Sequence, residues 1–309
     1  MTSDVEGLVQ AARAHDPRAL GKLLSMVEDD DPALPALMSA LLVAGVQTPY
    51  VIGLTGAPGV GKSTTTSALI ALWRAREQRV GVLAVDPSSP FTGGALLGDR
   101  VRMQTHATDT DVFIRSMASR GQLGGMAAST PQAVRVLEST GFEVVLVETV
   151  GVGQAEVDIA ATADTTVVLL APGMGDSIQA AKAGLLEVAD LLVVNKCDRD
   201  GADAAVRELH NMIATGGDRE PGEWRPVVVR AIATAAGGID ELVEAIDKHR
   251  AWLESSGEGE RRRVRRAAQE IRSMASRGQL GGMAASTPQA VRVLESTGFE
   301  VVLVETVGV

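Results

Sequence analysis

A short apolar run, Tyr50-Val51-Ile52-Gly53-Leu54, leads into Gly56-Ala57-Pro58-Gly59-Val60-Gly61-Lys62-Ser63-Thr64, and a helical stretch to Gln78 follows. No other feature of the chain restricts its fold as tightly. The run fits the spacing G-x-x-x-x-G-K-[ST] at every fixed position, in the strand–loop–helix setting that spacing requires. The glycines let successive backbone N–H groups turn inward, where side chains would obstruct them. The helix that follows adds its positive N-terminal end. Such a loop cradles phosphate, so residues 56–64 are expected to bind a nucleotide. Lys62 is expected to reach the β/γ-phosphates and Ser63 to bind Mg²⁺.

The rest of the chain agrees with a sheet built outward from that loop. Short apolar runs at 51–55, 80–85, 112–115, 144–148, 165–171, 191–195 and 227–231 read as strands. Amphipathic segments at 62–78, 130–140, 154–162, 177–188, 201–215 and 238–254 read as helices. The strands are rich in Val and apolar on both faces, as in a parallel sheet covered by helices on both sides. The fold class is α/β, a P-loop NTPase with an N-terminal helical extension and a helical or irregular C-terminal tail. In the extension, Leu8, Leu20, Leu23, Leu24 and Val27 recur at helical spacing, and Asp16-Pro17 breaks it. The acidic run 28–32 opens another helix that reaches Leu41. The domain reading is 1–48 helical, 49–256 P-loop domain and 257–309 a basic helix plus tail.

Ligands on such a sheet sit at the carboxyl ends of the strands, and the remaining motifs fall there. Asp86 ends the second strand and Asp99 follows in its loop; each is a candidate Mg²⁺ ligand, directly or through water. Glu148 ends the fourth strand and is a candidate for the metal or its waters. Beyond it, Gly151 can offer a backbone N–H to a γ-phosphate, and Gln154 is a candidate for orienting water. Residues 149–154 therefore read as a switch. After the sixth strand, Asn195-Lys196-Cys197-Asp198 fits N-K-x-D. The Asp198 carboxylate can accept from guanine N1–H and its N2 amine, a pair adenine lacks. Asn195 braces the loop, and the Lys196 stem covers the base. Ile232, Ala233 and Thr234, after the seventh strand, can offer backbone N–H groups to guanine O6. Cys197, the single cysteine, reads as a small buried filler. Between these motifs, Pro172–Lys182 carries Asp176, Gln179 and Lys182, the last two on one helical face.

Composition excludes some partners. The formal net charge is −10 and aromatics make up 3% of the chain, so neither a nucleic-acid footprint nor base-stacking platforms are expected. The basic run Arg261–Arg266 reads as a solvated helical face. One cysteine permits no internal disulfide, which fits a reducing cytoplasm. No apolar run reaches the roughly 18 residues of a membrane span.

Together these residues resemble the MeaB/ArgK family, the GTPase chaperones of cobalamin-dependent acyl-CoA mutases such as methylmalonyl-CoA mutase. The resemblance rests on Gly56–Thr64, Asp86-Pro87-Ser88-Ser89-Pro90-Phe91-Thr92-Gly93-Gly94, Gly98-Asp99-Arg100-Val101-Arg102-Met103, Glu148–Gln154 and Asn195–Asp198. The Asp86–Gly94 stretch discriminates, because generic GTPases lack it. The resemblance covers about residues 5–270 and implies Mg²⁺ and GTP at the site above. It also implies a mutase partner and a third switch at Pro172–Lys182 that responds to it. Hydrolysis is expected to be supported by Lys62, with water placed near Glu148 or Gln154, and to be slow by itself because no arginine finger is identifiable. Rival readings are a metal-delivery GTPase of the hydrogenase or urease maturation type, and a transport-associated kinase as in older naming of the family. The first needs Cys/His clusters, and the chain has one cysteine and four scattered histidines.

The tail departs from the resemblance. Residues 271–309 repeat residues 114–152 without a mismatch. Solenoid repeats drift and recur three or more times, whereas this copy does neither. It reads as a recent duplication or an assembly artefact, with a swap for the first copy in the sheet as the other reading. Family members are homodimers through a helical arm after the basic helix, and here the copied segment stands in that place.

Overall fold

A computed structural model describes residues 2–41, 48–86, 104–106, 108–118, 129–149, 155–173, 187–216 and 222–276. Seven strands form one sheet: β1 (Tyr50–Thr55), β2 (Val80–Asp86), β3 (Val112–Ala118), β4 (Val144–Glu148), β5 (Thr165–Leu170), β6 (Leu191–Val194) and β7 (Val227–Arg230). Their order is β3-β2-β4-β1-β5-β6-β7, and every neighbouring pair is parallel. Each expected strand is present; β1, β4, β5 and β6 are buried along their whole length, which leaves continuous apolar runs, while the edge strands β3 and β7 are only partly buried.

The two-residue period of the strands divides the core. Ile52, Leu54, Val82, Leu146, Val167 and Leu169 face one side, where they meet α4 (Lys62–Ala75) and α8 (Ile239–Ser256). Val51, Leu83, Val85, Val145 and Val147 face the other. That side is covered by α1 (Thr2–Arg13), α2 (Pro17–Glu28), α3 (Leu34–Leu41), α5 (Thr130–Ser139) and α6 (Ala155–Thr162). A third cluster joins Val168, Leu170, Leu192 and Val194 to Leu209 of α7 (Ala202–Thr215). The N-terminal helices thus form part of the main core. Asp16 starts α2 by accepting from the Arg18 and Ala19 backbone N–H groups, with Pro17 at the first helical position. The helix expected at 177–188 lies, but for its last two residues, outside the described residues.

The last helix, α9 (Glu258–Ser276), corrects one expectation. Its arginines are not a uniformly solvated face. Arg262 and Arg266, four apart, reach the amino-terminal edge of the sheet, where Asp164 precedes β5 and Asp190 precedes β6. Arg262 grips both oxygens of Asp190 at 2.9 Å, and its Nη1 also donates to Asp164 O at 2.8 Å. Arg266 donates to the Asp164 carboxylate and to Ala163 O. Asp164 in turn accepts the Val51 N–H, and Asp190 the Thr166 N–H, each at 2.8 Å. Arg261 and Arg265 pair with Glu258 on their own helix. His249 is fully buried beside this clamp, with Nδ1 at 2.6 Å from Thr165 Oγ1 and Nε2 at 3.3 Å from Asp190 Oδ1.

The helix also crosses the start of the copied segment. Ile271-Arg272-Ser273-Met274-Ala275 is helical, while the same five residues at Ile114–Ala118 form most of β3. In the first copy they pair residue by residue with Val82–Asp86. In the second they follow a run of helix formers, and a helix already nucleated propagates into them.

Candidate nucleotide site

The chain leaves β1 toward β2 on one side and reaches β5 on the other, so the sheet's crevice opens at the carboxyl end of β1. The phosphate loop, residues 56–61, lies there. Gly56 has φ +138°, and a Cβ on it would sit 2.2 Å from Leu169 O. Gly61 has φ +101°, and a Cβ on it would sit 2.3 Å from Asn195 Nδ2. Gly61 also caps α4 without a side-chain hydrogen bond, and the first turn carries no acid. No acid of the helix's own first turn therefore competes with a ligand for these N–H groups. Lys62 folds back over the loop, donating from Nζ to Gly56 O at 2.7 Å and Ala57 O at 3.2 Å.

Opposite α4, Glu148 closes β4 in register with Leu54 of β1 and Ala84 of β2. It is 3% exposed. Ser63 Oγ donates to Glu148 Oε1 at 2.7 Å, and Thr66 Oγ1 donates to Oε2 at 3.0 Å. Thr149 joins the same floor through a 3.0 Å hydrogen bond to Thr55, the residue before the loop. Asp86 ends β2 at this end of the sheet, but its side chain lies outside the described set. Asp99, Gly151, Gln154, Asp176, Gln179 and Lys182 lie outside the described residues.

Asn195 ties the two halves of the site together. It is 2% exposed; Nδ2 donates to Val60 O at 2.8 Å and Oδ1 accepts the Ala233 N–H at 3.0 Å. Lys196 takes φ +59° and donates from Nζ to Gly59 O at 2.6 Å, laying its stem across the mouth of the loop. Asp198 is exposed in the turn that follows. Cys197 is half-buried, its Sγ donating to Val194 O. In the loop after β7, the Ile232 N–H goes to Gly237 O at 2.7 Å. Ile232 and Ala233 therefore spend their amides on bracing the loop, which leaves Thr234 as the exposed one of the three expected donors. The sequence reading missed Thr66, although its place three residues after Ser63 puts both on one face of α4.

The donor set suits a hard cation. A hydroxyl and a buried carboxylate supply oxygen only, and among the described residues no group of three or more His, Cys, Asp or Glu gathers into a cage. Magnesium is commonly held this way, by one or two protein oxygens completed by substrate phosphates.

The model of the family described as methylmalonyl-CoA mutase-associated GTPase MeaB matches residues 20–272. The chain belongs to the MeaB family of GTPases. The same family model matches again over 267–309, as a copied segment requires. A GTPase-named protein of Pyrococcus abyssi is 47% identical over 274 residues, spanning 88% of this chain and 84% of that one. A mouse relative named methylmalonic aciduria type A homolog, mitochondrial, is 35% identical across 82% of this chain and 63% of its own length. A solved structure described as a LAO/AO transport system kinase superposes with a TM-score of 0.73 at 28% identity, covering 89% of this chain and 84% of that one. This MeaB-family chain is thus a P-loop GTPase. No helix among its described residues is long and apolar enough to cross a membrane.

Proposed function

We propose that this GTPase acts as a gate for a cobalamin-dependent acyl-CoA mutase of the methylmalonyl-CoA type, controlling cofactor loading and protecting the mutase. The observation that carries the GTP half is the pairing of the phosphate loop with Asn195, which locks the base-reading turn to Val60 O at 2.8 Å. The mutase half is supported by the family's description and by the mouse relative's name.

In this reading, residues 56–64 bind the phosphates through backbone N–H groups, and Lys62 exchanges its carbonyl contacts for the β/γ-phosphate oxygens. Asp198 accepts from the guanine edge, Lys196 covers the base, and the 232–234 loop faces O6. Ser63 and Glu148 would hold Mg²⁺, with Asp86 and Asp99 as further candidates; the ion supplies charge neutralisation at the β,γ-bridge. Glu148 or Gln154 holds the attacking water in line. Gly151 and the stretch carrying Asp176, Gln179 and Lys182 respond to the nucleotide state and to the mutase. A metal-delivery role is disfavoured by the single cysteine.

The test is single-turnover GTP hydrolysis with and without a purified methylmalonyl-CoA mutase, paired with size exclusion. Acceleration together with co-elution is expected. An unchanged rate and separate elution with every cobalamin-dependent mutase tried would remove the mutase from the proposal.

A further inference from the structure

The two oxygens of Glu148 are held by different hydroxyls of α4. Oε1 receives the Ser63 proton and Oε2 the Thr66 proton. Thr66 is fully buried and lies outside the P-loop motif. Its neighbour Thr65 donates back to Gly61 O at 3.0 Å, a bond helical threonines commonly make to the preceding turn. Thr66 instead sends its proton across to β4. A serine hydroxyl that binds a cation does so through a lone pair, and its proton then needs an acceptor. Glu148 supplies one only when its carboxylate is turned so that Oε1 meets Ser63.

We propose that Thr66 is a positioning residue of the GTPase site: its hydrogen bond to Oε2 sets the rotation of the Glu148 carboxylate, so that Oε1 takes the Ser63 proton and the Ser63 lone pair faces a divalent cation. The inference rests on Ser63 and Glu148 forming the metal side of the site. It adds a residue that the P-loop pattern does not contain.

The probe is Mn²⁺, titrated by electron paramagnetic resonance into the protein–GDP complex of the parent, Thr66→Val, Thr66→Ser and Glu148→Gln. Fluorescent GDP binding in chelator is measured beside it, and thermal midpoints check folding. Losing one hydrogen bond to a charged acceptor should weaken Mn²⁺ about five- to tenfold in Thr66→Val, and leave metal-free GDP affinity within about twofold. Thr66→Ser, which keeps the hydroxyl, should restore the parent value. If Thr66→Val does not fold, Thr66→Ala compared with Thr66→Ser reads the same difference. Parent-like Mn²⁺ affinity in Thr66→Val with weakened binding in Glu148→Gln would overturn the role of Thr66 alone. Parent-like affinity in both would overturn the metal-side reading on which it rests.

Discussion

Gly61 occupies a position with almost no latitude. Its φ of +101° is open to glycine, and the space where a Cβ would stand holds the Asn195 amide. That amide donates to Val60 O, so an added methyl would strain the backbone and displace the brace between phosphate loop and base-reading turn. Gly61→Ala is expected to cost about 1–3 kcal/mol of stability and to weaken GTP at least about tenfold, because both halves of the site lose register. Isothermal titration with urea unfolding checks it; parent-like affinity would show that the brace is dispensable. Asp198 is a different case. It is exposed, and among the described residues its side chain makes no hydrogen bond or ion pair. Asp198→Asn should therefore fold normally. It should weaken GTP by on the order of a hundredfold through two lost charge-assisted hydrogen bonds, and improve xanthosine triphosphate relative to GTP. Competition binding with both nucleotides decides it, and equal GTP affinity in mutant and parent would end the guanine assignment.

At the scale of elements, α9 is fastened by ion pairs to the sheet edge opposite the nucleotide site. Burial by itself raises the Asp190 carboxyl, but the adjacent His249 ring and the two-pronged Arg262 guanidinium outweigh it and hold the group at about 2. Removing Arg262 strips a buried carboxylate of its main cation. Arg262→Met should cost about 2–3 kcal/mol in urea unfolding, less than the ~3–5 kcal/mol of a fully buried pair because Arg262 keeps 22% exposure. GTP affinity should be unchanged, since the clamp lies at the far end of the strands; an unchanged unfolding midpoint would show that the pair contributes nothing. The sign of the pH effect follows from the lowered value. Asp190 stabilises the fold fully above its unfolded value of about 3.9, and the contribution is lost as pH falls through about 2. The stability gap between parent and Asp190→Asn at pH 6 should accordingly narrow between about pH 4 and 2, as followed by circular dichroism. This clamp was illegible in the sequence, whereas the strands and the phosphate loop were not. A strand buried on both faces writes its environment into its own residues, and Gly56–Thr64 carries its chemistry in local spacing. Arg262 and Asp190 are 72 residues apart, and nothing near either one announces the other. Thr66 is a mixed case: its spacing from Ser63 places the two on one helix face, but its partner Glu148 lies 82 residues away.

On the scale of the whole molecule, the question is what the second copy of residues 114–152 can add. The first copy supplies β3, α5 and β4, and β4 sits between β2 and β1 with Glu148 at the nucleotide site. Among the described residues all seven strands come from residues 50–230, so the sheet positions that build the nucleotide site are supplied before the chain reaches the copy. The contacts that seat α9, through Arg262 and Arg266, also precede it. The five residues shared by β3 and the end of α9 show that the copied string does not dictate its own conformation; the pairing partner in β2 does. Deleting 277–309 should therefore leave GTP affinity within about twofold and the thermal midpoint within about 2 °C, since the described sheet, the phosphate loop and the arginines that seat α9 all lie before the cut. Fluorescent GTP binding and calorimetry on the shortened chain check this. A large loss of affinity would show that the copied segment had entered the sheet. Because its Glu305 is the counterpart of Glu148, pairing the deletion with Glu148→Gln then separates the two cases: a copy that replaces β4 rescues Glu148→Gln only while residues 277–309 are present.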